Sequence, residues 1–364
     1  MNPQKLIRAA LGLAAMFAAA DVSSAQLTTA ARIPVASMSN HAGTGPKVAV
    51  MGPVLGHFYD KASRQLEPLY GVVGSASLGA ALPSLKGAMV EVAPSQDYAL
   101  AVSRETGQLS QLYLNDVGWV AMPLAQAIEG ADRIAMSANS SSALIYSSAT
   151  RRAQVVTGLT ATAAVSGELD FSALGGAIGM MALNDAGDIA LVAIGDAVGN
   201  DAMTVYAVQS KSAPAAVYRA RSVSGLAFLR GSNDALLSSS VENRVVWLRE
   251  ISGTPSAVDV ANRQSGLEAP SLVAASEDGS RAFVLSGDSV LTIALAGPLS
   301  GSAPTSVHCS CTPTKLQRLR GREAFLLTDS ATESLAVFDG GTAASRILFI
   351  PVNVPRQARA EETK

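Results

Sequence analysis

The chain has 364 residues, enough for one large all-β domain or two smaller domains. Its formal net charge is -2, with charged residues at 15%, which makes no electrostatic case for binding nucleic acid or an anionic membrane. Hydrophobic residues reach 48%, but alanine carries much of that share and adds little burial per residue.

The N-terminus, "MNPQKLIRAALGLAAMFAAADVSSAQ", opens with Lys5 and Arg8, continues through an apolar run from Ala9 to Ala20, and ends in the small-residue pattern Ser23-Ser24-Ala25. That is the layout of a secretory signal peptide, with cleavage expected after Ala25. The apolar run falls short of the roughly 20 residues a membrane-spanning helix needs. No later segment is long and apolar enough to span, so the mature protein is expected to be secreted or periplasmic, in an oxidising compartment. Residues 26–46 are Thr, Ala, Ser and Gly without periodicity and read as a flexible leader.

From residue 47 onward the chain repeats itself. The runs "ALAVS" at Ala99, "ALIYS" at Ala143, "ALVAI" at Ala190, "ALLSS" at Ala235, "AFVLS" at Ala282 and "AFLLT" at Ala324 are spaced by 42 to 47 residues. A turn cluster precedes each run: "PSQD", "ANSSS", "NDAGD", "GSND", "SEDGS" and "GRE". Gly, Asn, Asp and Ser dominate these clusters, as tight hairpins require. A further strand pattern follows each run, such as "MTVYAVQS" or "NRVVWLREI", and then a weaker fourth, such as "GWVAMP" or "SAVDVA". Four antiparallel strands in this period make one β-propeller blade. The stretch "GHFYD", "KASR", "QLEPL" reads as the later part of another blade. The expectation is therefore an all-β propeller over residues 47–352, of seven blades, with six and eight as the neighbouring counts. "SRILFIPV" supplies the last strand, and pairing of N- and C-terminal segments is expected to close the ring. The tail, residues 353–364, is read as disordered.

The phrases "NDAGDIALVAI" and "SEDGSRAFVLS", with later strands such as "SLAVFD", resemble the YVTN-type β-propeller repeat of secreted proteins. The resemblance spans Lys47 to Val352, although the Pro-Asp-Gly turn of that repeat is mostly lost and its "YV" is usually "AL" or "AF". It implies the fold and an exported protein. It does not choose a function, because the family includes lactonases, quinone-cofactor dehydrogenases, surface-layer proteins and binding scaffolds.

Several residues could carry chemistry. Asn184, Asp185 and Asp188 of "NDAGD" suggest a calcium loop, but the cluster stops after five residues and runs into a strand, so a hairpin turn is expected. The segment "HCSCT" holds the chain's only two cysteines. It admits a local Cys309–Cys311 disulfide, a metal site built on His308, Cys309 and Cys311, or a thiol redox pair. Export favours the disulfide. His57 is a general-base candidate, but it sits on a strand pattern that already accounts for it, so a packed strand residue is the preferred reading. Trp119 and Trp247 fall on strand patterns and read as blade packing rather than a stacking platform. Charged residues in the loops between second and third strands would ring one mouth of the central channel: Arg104, Glu105, Arg151, Arg152, Asp196, Asp201, Glu242, Arg244, Asp329 and Glu333. A solvated rim and a polar binding site both fit them.

No G-x-S-x-G, H-E-x-x-H, P-loop or G-x-G-x-x-G pattern is present. The sequence therefore points to an exported, monomeric, non-catalytic binding propeller without a cofactor, whose partner is an unknown protein or a small polar ligand. The alternative is a propeller enzyme, lactonase-like or quinone-dependent, with its site at the channel mouth.

Overall fold

A strand buried at nearly every position needs protein over both of its faces, and the second strands of blades 2 to 7 are of this kind. The computed structural model describes residues 52–80, 88–115, 118–126, 128–195, 202–210, 212–296, 302–331, 334–341 and 344–352. At 114–115, 118–119 and 125–126 it describes the backbone alone. Contacts divide the chain into two units, Met1–Ala49 and Val50–Lys364. The first, with the expected signal peptide and leader, lies outside the described residues, as does the tail from 353.

The chain is a seven-bladed β-propeller, and the strands of each blade pair antiparallel in chain order. Blade 1 holds β1 (Val54–Asp60), β2 (Gln65–Val72) and β3 (Ser75–Leu78). Blade 2 holds β4 (Ala88–Val92), β5 (Tyr98–Ser103), β6 (Gln108–Asn115) and β7 (Gly118–Gln126). Blade 3 holds β8 (Arg133–Met136), β9 (Ser142–Ser147), β10 (Arg152–Thr157) and β11 (Ala164–Asp170). Blade 4 holds β12 (Ile178–Leu183), β13 (Ala190–Gly195), β14 (Met203–Val208) and β15 (Ala215–Ala220). Blade 5 holds β16 (Gly225–Phe228), β17 (Ala235–Ser239), β18 (Arg244–Arg249) and β19 (Ser256–Ala261). Blade 6 holds β20 (Pro270–Ala275), β21 (Arg281–Ser286), β22 (Ser289–Ala294) and β23 (Thr305–His308). Blade 7 holds β24 (Gln317–Arg318), β25 (Ala324–Leu326), β26 (Leu335–Asp339) and β27 (Arg346–Ile350). Among the described residues no helix is long and apolar enough to cross a membrane.

Strand β13 shows why the repeated runs do not alternate. Leu191 and Ala193 pack toward blade 5, against Leu237 and Val246. Ala190, Val192 and Ile194 pack toward blade 3, against Leu144, Tyr146 and Val155. Successive side chains point to opposite faces, and both faces are core. The alanine that opens each run, from Ala99 to Ala324, is fully buried.

Blade 1 supplies the second, third and outer strand positions. Its β3 lies beside the outer strand β27, as β7 lies beside β11. The start of β1 meets the first hairpin turn of blade 7, where the Arg320 N–H donates to the Leu55 carbonyl at 2.7 Å, and its end meets Asp329, whose carbonyl accepts from the Lys61 N–H at 3.3 Å. The two ends of the chain thus close the ring as neighbouring blades. Leu55, Phe58 and Leu69 pack on Leu319, Leu326 and Val337. The expected pairing of both ends within one sheet is not found among the described residues. On the inner edge of β1, side chains take the hydrogen bonds: Gln96 Oε1 accepts from the His57 N–H at 2.7 Å, and Gln317 Nε2 donates to the His57 carbonyl at 2.8 Å. Gly56 makes the crossing fit, since a Cβ there would stand 2.9 Å from Gln96 Oε1 and 2.7 Å from Leu319 Cδ2.

The turns between first and second strands link blade to blade. The Ser95 N–H donates to Ser140 Oγ at 2.8 Å. Asp185 accepts from the Asn139 N–H at 2.8 Å and from the Gly231 N–H at 2.6 Å. Arg230 pairs with Glu277 at 3.1 Å, Arg281 pairs with Glu323, and Arg320 pairs with Asp97 at 2.5 Å. One position in these turns is left-handed. Gly187 (φ 74°) and Gly279 (φ 69°) suit it, but Gln96 (φ 65°) and Ser140 (φ 65°) occupy it too. A non-glycine residue there costs about 1–2 kcal/mol, and at both positions the side chain bonds a neighbouring blade.

Replacing Gln96 by Ala leaves the buried His57 N–H without this acceptor and the Arg318 carbonyl without its Gln96 donor. A loss of about 1–3 kcal/mol of stability is expected, read as a lower urea midpoint at unchanged slope.

Candidate functional site in the central channel

The first strands of blades 2 to 7 and the second strand of blade 1 surround a central channel with a cavity of about 450 Å³. Its middle is apolar, lined by residues such as Val90, Ile134, Met181, Leu226, Leu272 and Leu316. Polar side chains enter from blades 1, 2 and 7 and, at the end near the first hairpin turns, from blades 5 and 6. Tyr59, Lys61, Glu91, Lys315 and Gln317 border the inner edge of β1. Arg230, Glu277 and Arg318 lie toward the turns between first and second strands.

Lys315 stands just before β24. Its Nζ donates to Gln317 Oε1 at 2.9 Å and lies 5.4 Å from the Phe58 ring centroid. Burial lowers its pKa to about 8, Lys61 adds to the fall, and Glu91, Asp329 and Asp60 oppose it. Glu91, on β4, opens to the channel but is walled by protein, and this desolvation raises its pKa to about 7 against the pull of Lys315 and Lys61. Lys61 itself pairs with Asp329 at 2.9 Å. Arg318 stacks on Phe325 at 4.8 Å and donates to the Ala275 carbonyl. Two ionisable groups moved toward neutrality in one cleft mark a candidate functional site.

The rim residues expected from sequence are spent differently. Arg151 donates to the carbonyls of Gly176 and Leu174, bracing the loop into blade 4. Arg152 pairs with Glu168 at 2.7 Å. Glu242 pairs with Arg244 at 2.8 Å and accepts from the Arg221 N–H at 3.1 Å. Arg104 and Glu105 are exposed. None of these lines the channel; Asp329 reaches it through Lys61. Asp196, Asp201 and Glu333 lie outside the described residues.

The "NDAGD" cluster is a hairpin turn. Asn184 Oδ1 accepts the Asp188 and Ile189 N–H groups, each at 3.1 Å, and its Nδ2 reaches Asn233 of the next blade at 2.8 Å. Trp247 packs on the core between blades 5 and 6, with the Arg249 guanidinium 5.0 Å from its ring centroid. The side chain of Trp119 is outside the description. Among the described residues no group of three or more His, Cys, Asp or Glu side chains converges as a metal site.

His57 is buried on β1, and its pKa falls to about 4, chiefly through burial, with the Arg320 charge adding to the fall. The unfolded chain takes up this proton near the ordinary value of 6.5, whereas the folded chain excludes it until about 4. Stability should therefore fall with pH through that window, by up to roughly 3 kcal/mol. Urea midpoints of the parent and His57→Gln, compared from about pH 7 down to about pH 4, measure this; the variant's slope should be shallower.

The "HCSCT" segment links blade 6 to blade 7. His308 Nδ1 is 3.1 Å from Asp288 Oδ1. The Cα atoms of Cys309 and Cys311 are 5.0 Å apart, inside disulfide range, and the two sulfurs are joined. So short a loop contributes only about 1–2 kcal/mol by chain entropy. Denatured, unreduced protein should titrate no free thiol, and the double Ser variant should lose stability of that small order.

The site residues that sequence reasoning missed did leave a signal. Glu91 interrupts "AMVEV", and "KLQR" holds Lys315, Gln317 and Arg318 where other first strands read "IAM", "MMAL" or "GLAF".

No protein-family model matches the chain, and no curated protein matches its sequence. Solved structures do share its fold. A functionally unknown protein from Desulfotomaculum acetoxidans DSM 771 aligns with a TM-score of 0.53 at 13% identity, over 82% of this chain and 99% of its own. A protein from Lactobacillus plantarum aligns at 0.55 and 11%, over 82% and 96%. Apo AztD from Citrobacter koseri aligns at 0.50 and 12%, over 82% of each chain. At such identities the likeness concerns fold alone.

Proposed function

We propose that this protein is an exported binding propeller of the YVTN type, which holds a small ligand in its central channel. One observation carries the reading: a cavity of about 450 Å³ with an apolar belt and a few convergent polar groups, the form that small-molecule sites take. Export rests on the Lys5-to-Ala25 pattern, with which the short Cys309–Cys311 pair is consistent. The mature chain then begins at or near Gln26. The channel belt shifts the ligand away from the purely polar one that sequence suggested, toward a molecule with both apolar and charged parts.

An enzyme is the second reading, because Glu91 and Lys315 titrate near neutrality in one cleft. Protein purified from its native host decides between them. N-terminal mass spectrometry should find a chain starting near Gln26, and native mass spectrometry should find a small molecule that leaves on denaturation. An intact Met1 in soluble protein would refute export. A bound metal, or a quinone absorption band, would favour the enzyme.

A further inference from the structure

Lys315 and Glu91 feel each other's charge on one side of the channel, yet they form no ion pair within 4.0 Å. Among the described residues neither has any other full ion-pair partner. The ammonium of Lys315 is met by the Gln317 amide oxygen and the Phe58 ring. Glu91 faces only Lys315 and Lys61, and Lys61 is already paired with Asp329. Lys315 is half-buried and Glu91 opens into the cavity, so each is reachable from the channel, and a counter-ion seated there gains a charge-assisted hydrogen bond in a cleft walled by protein. A ligand with one charge would satisfy one group and repel the other. A ligand with both charges satisfies the two together and brings no net charge into the channel.

We infer that the channel site is built for a zwitterion with an apolar body, the chemical class of an apolar α-amino acid, its carboxylate on Lys315 and its ammonium on Glu91. This rests on the channel-binding reading above. The apolar belt, with Val90 and Leu316 beside the charged pair, receives the side chain. The cavity of about 450 Å³ is large enough for such a molecule.

The pH profile follows from the groups around the pair. Glu91 is faced by Lys315 and Lys61, and Lys315 by Glu91, Lys61, Asp329 and Asp60. Binding of the zwitterion needs Glu91 ionised and Lys315 protonated. Affinity should therefore be greatest between about 7 and about 8, falling on the acid side as Glu91 protonates and on the alkaline side as Lys315 loses its proton.

Calorimetric titration of the full chain with 2-aminooctanoate, octanoate and octylamine tests this. The expected result is tightest binding of 2-aminooctanoate, with a bell-shaped pH profile. Glu91→Gln, which keeps size and shape, should weaken it about tenfold and remove the acid limb, while octanoate binds no worse. Lys315→Met should weaken 2-aminooctanoate and octanoate alike; if that variant does not fold, Glu91→Gln alone decides. Octanoate or octylamine binding as tightly as 2-aminooctanoate, or a profile without the bell, would overturn the zwitterion while the channel remained a binding site. If none of the three bound, both the inference and the channel reading would fall.

Discussion

Burial of both faces of every second strand is the constraint on which the structure depends. A single sheet with "ALVAI" at its centre exposes apolar surface on each side. A stack in an open row leaves two end faces bare, and only a closed ring leaves none. The contact between blade 1 and blade 7 is therefore the contact that completes all the others, and it is made with unusual parts. Leu55 and Phe58 pack on Leu319 and Leu326, while Gln96 and Gln317 take up the hydrogen bonds of His57 on the inner edge of β1. Polar side chains replace ladder bonds there, so the junction holds both by apolar packing and by amide geometry.

The character of the channel follows from the same junction. Around most of the ring, inner-strand side chains face one another and are apolar. Beside β1 the lining turns polar, and the residues that change it, Glu91, Lys315 and Gln317, come from the two blades that flank blade 1. Gln317 belongs both to closure, through His57, and to the charged pair, through Lys315. The closure of the fold and the chemistry of the site thus share a residue, and a change at one would be felt at the other. The fold itself remains silent about function, as the low identity of its structural neighbours illustrates; whatever is specific to this chain lies in those few polar side chains.

The ordering of the turns has a similar double use. Where the left-handed turn position is glycine, that position only reverses the chain, and other residues of the turn make the bonds to the neighbouring blades. Where it is Gln96 or Ser140, the strain is accepted and the side chain bonds the next blade. Asp185 does the same for three successive turns through its two carboxylate oxygens. These bonds set the spacing of the blades on one face, leaving the opposite face to the longer loops, including the Cys309–Cys311 segment that leads to Lys315.

By itself the sequence determined the strands, their number per repeat and a propeller of six to eight blades, seven preferred, because a period of 42 to 47 residues, turn clusters and two-faced apolar runs are local signals. It also marked "NDAGD" as a turn. The functional site depended on tertiary structure. Glu91 and Lys315 are more than two hundred positions apart in a chain of 364, and only closure of the ring brings blade 2 and blade 7 to the same side of the channel. The loop charges that sequence singled out are conspicuous because they recur between second and third strands, but the structure commits Arg151 to loop carbonyls and Glu242 to local bonds. Which charge is spent on the fold and which is left facing a cavity depends on what lies across from it, and that is a property of the closed ring rather than of the order of residues.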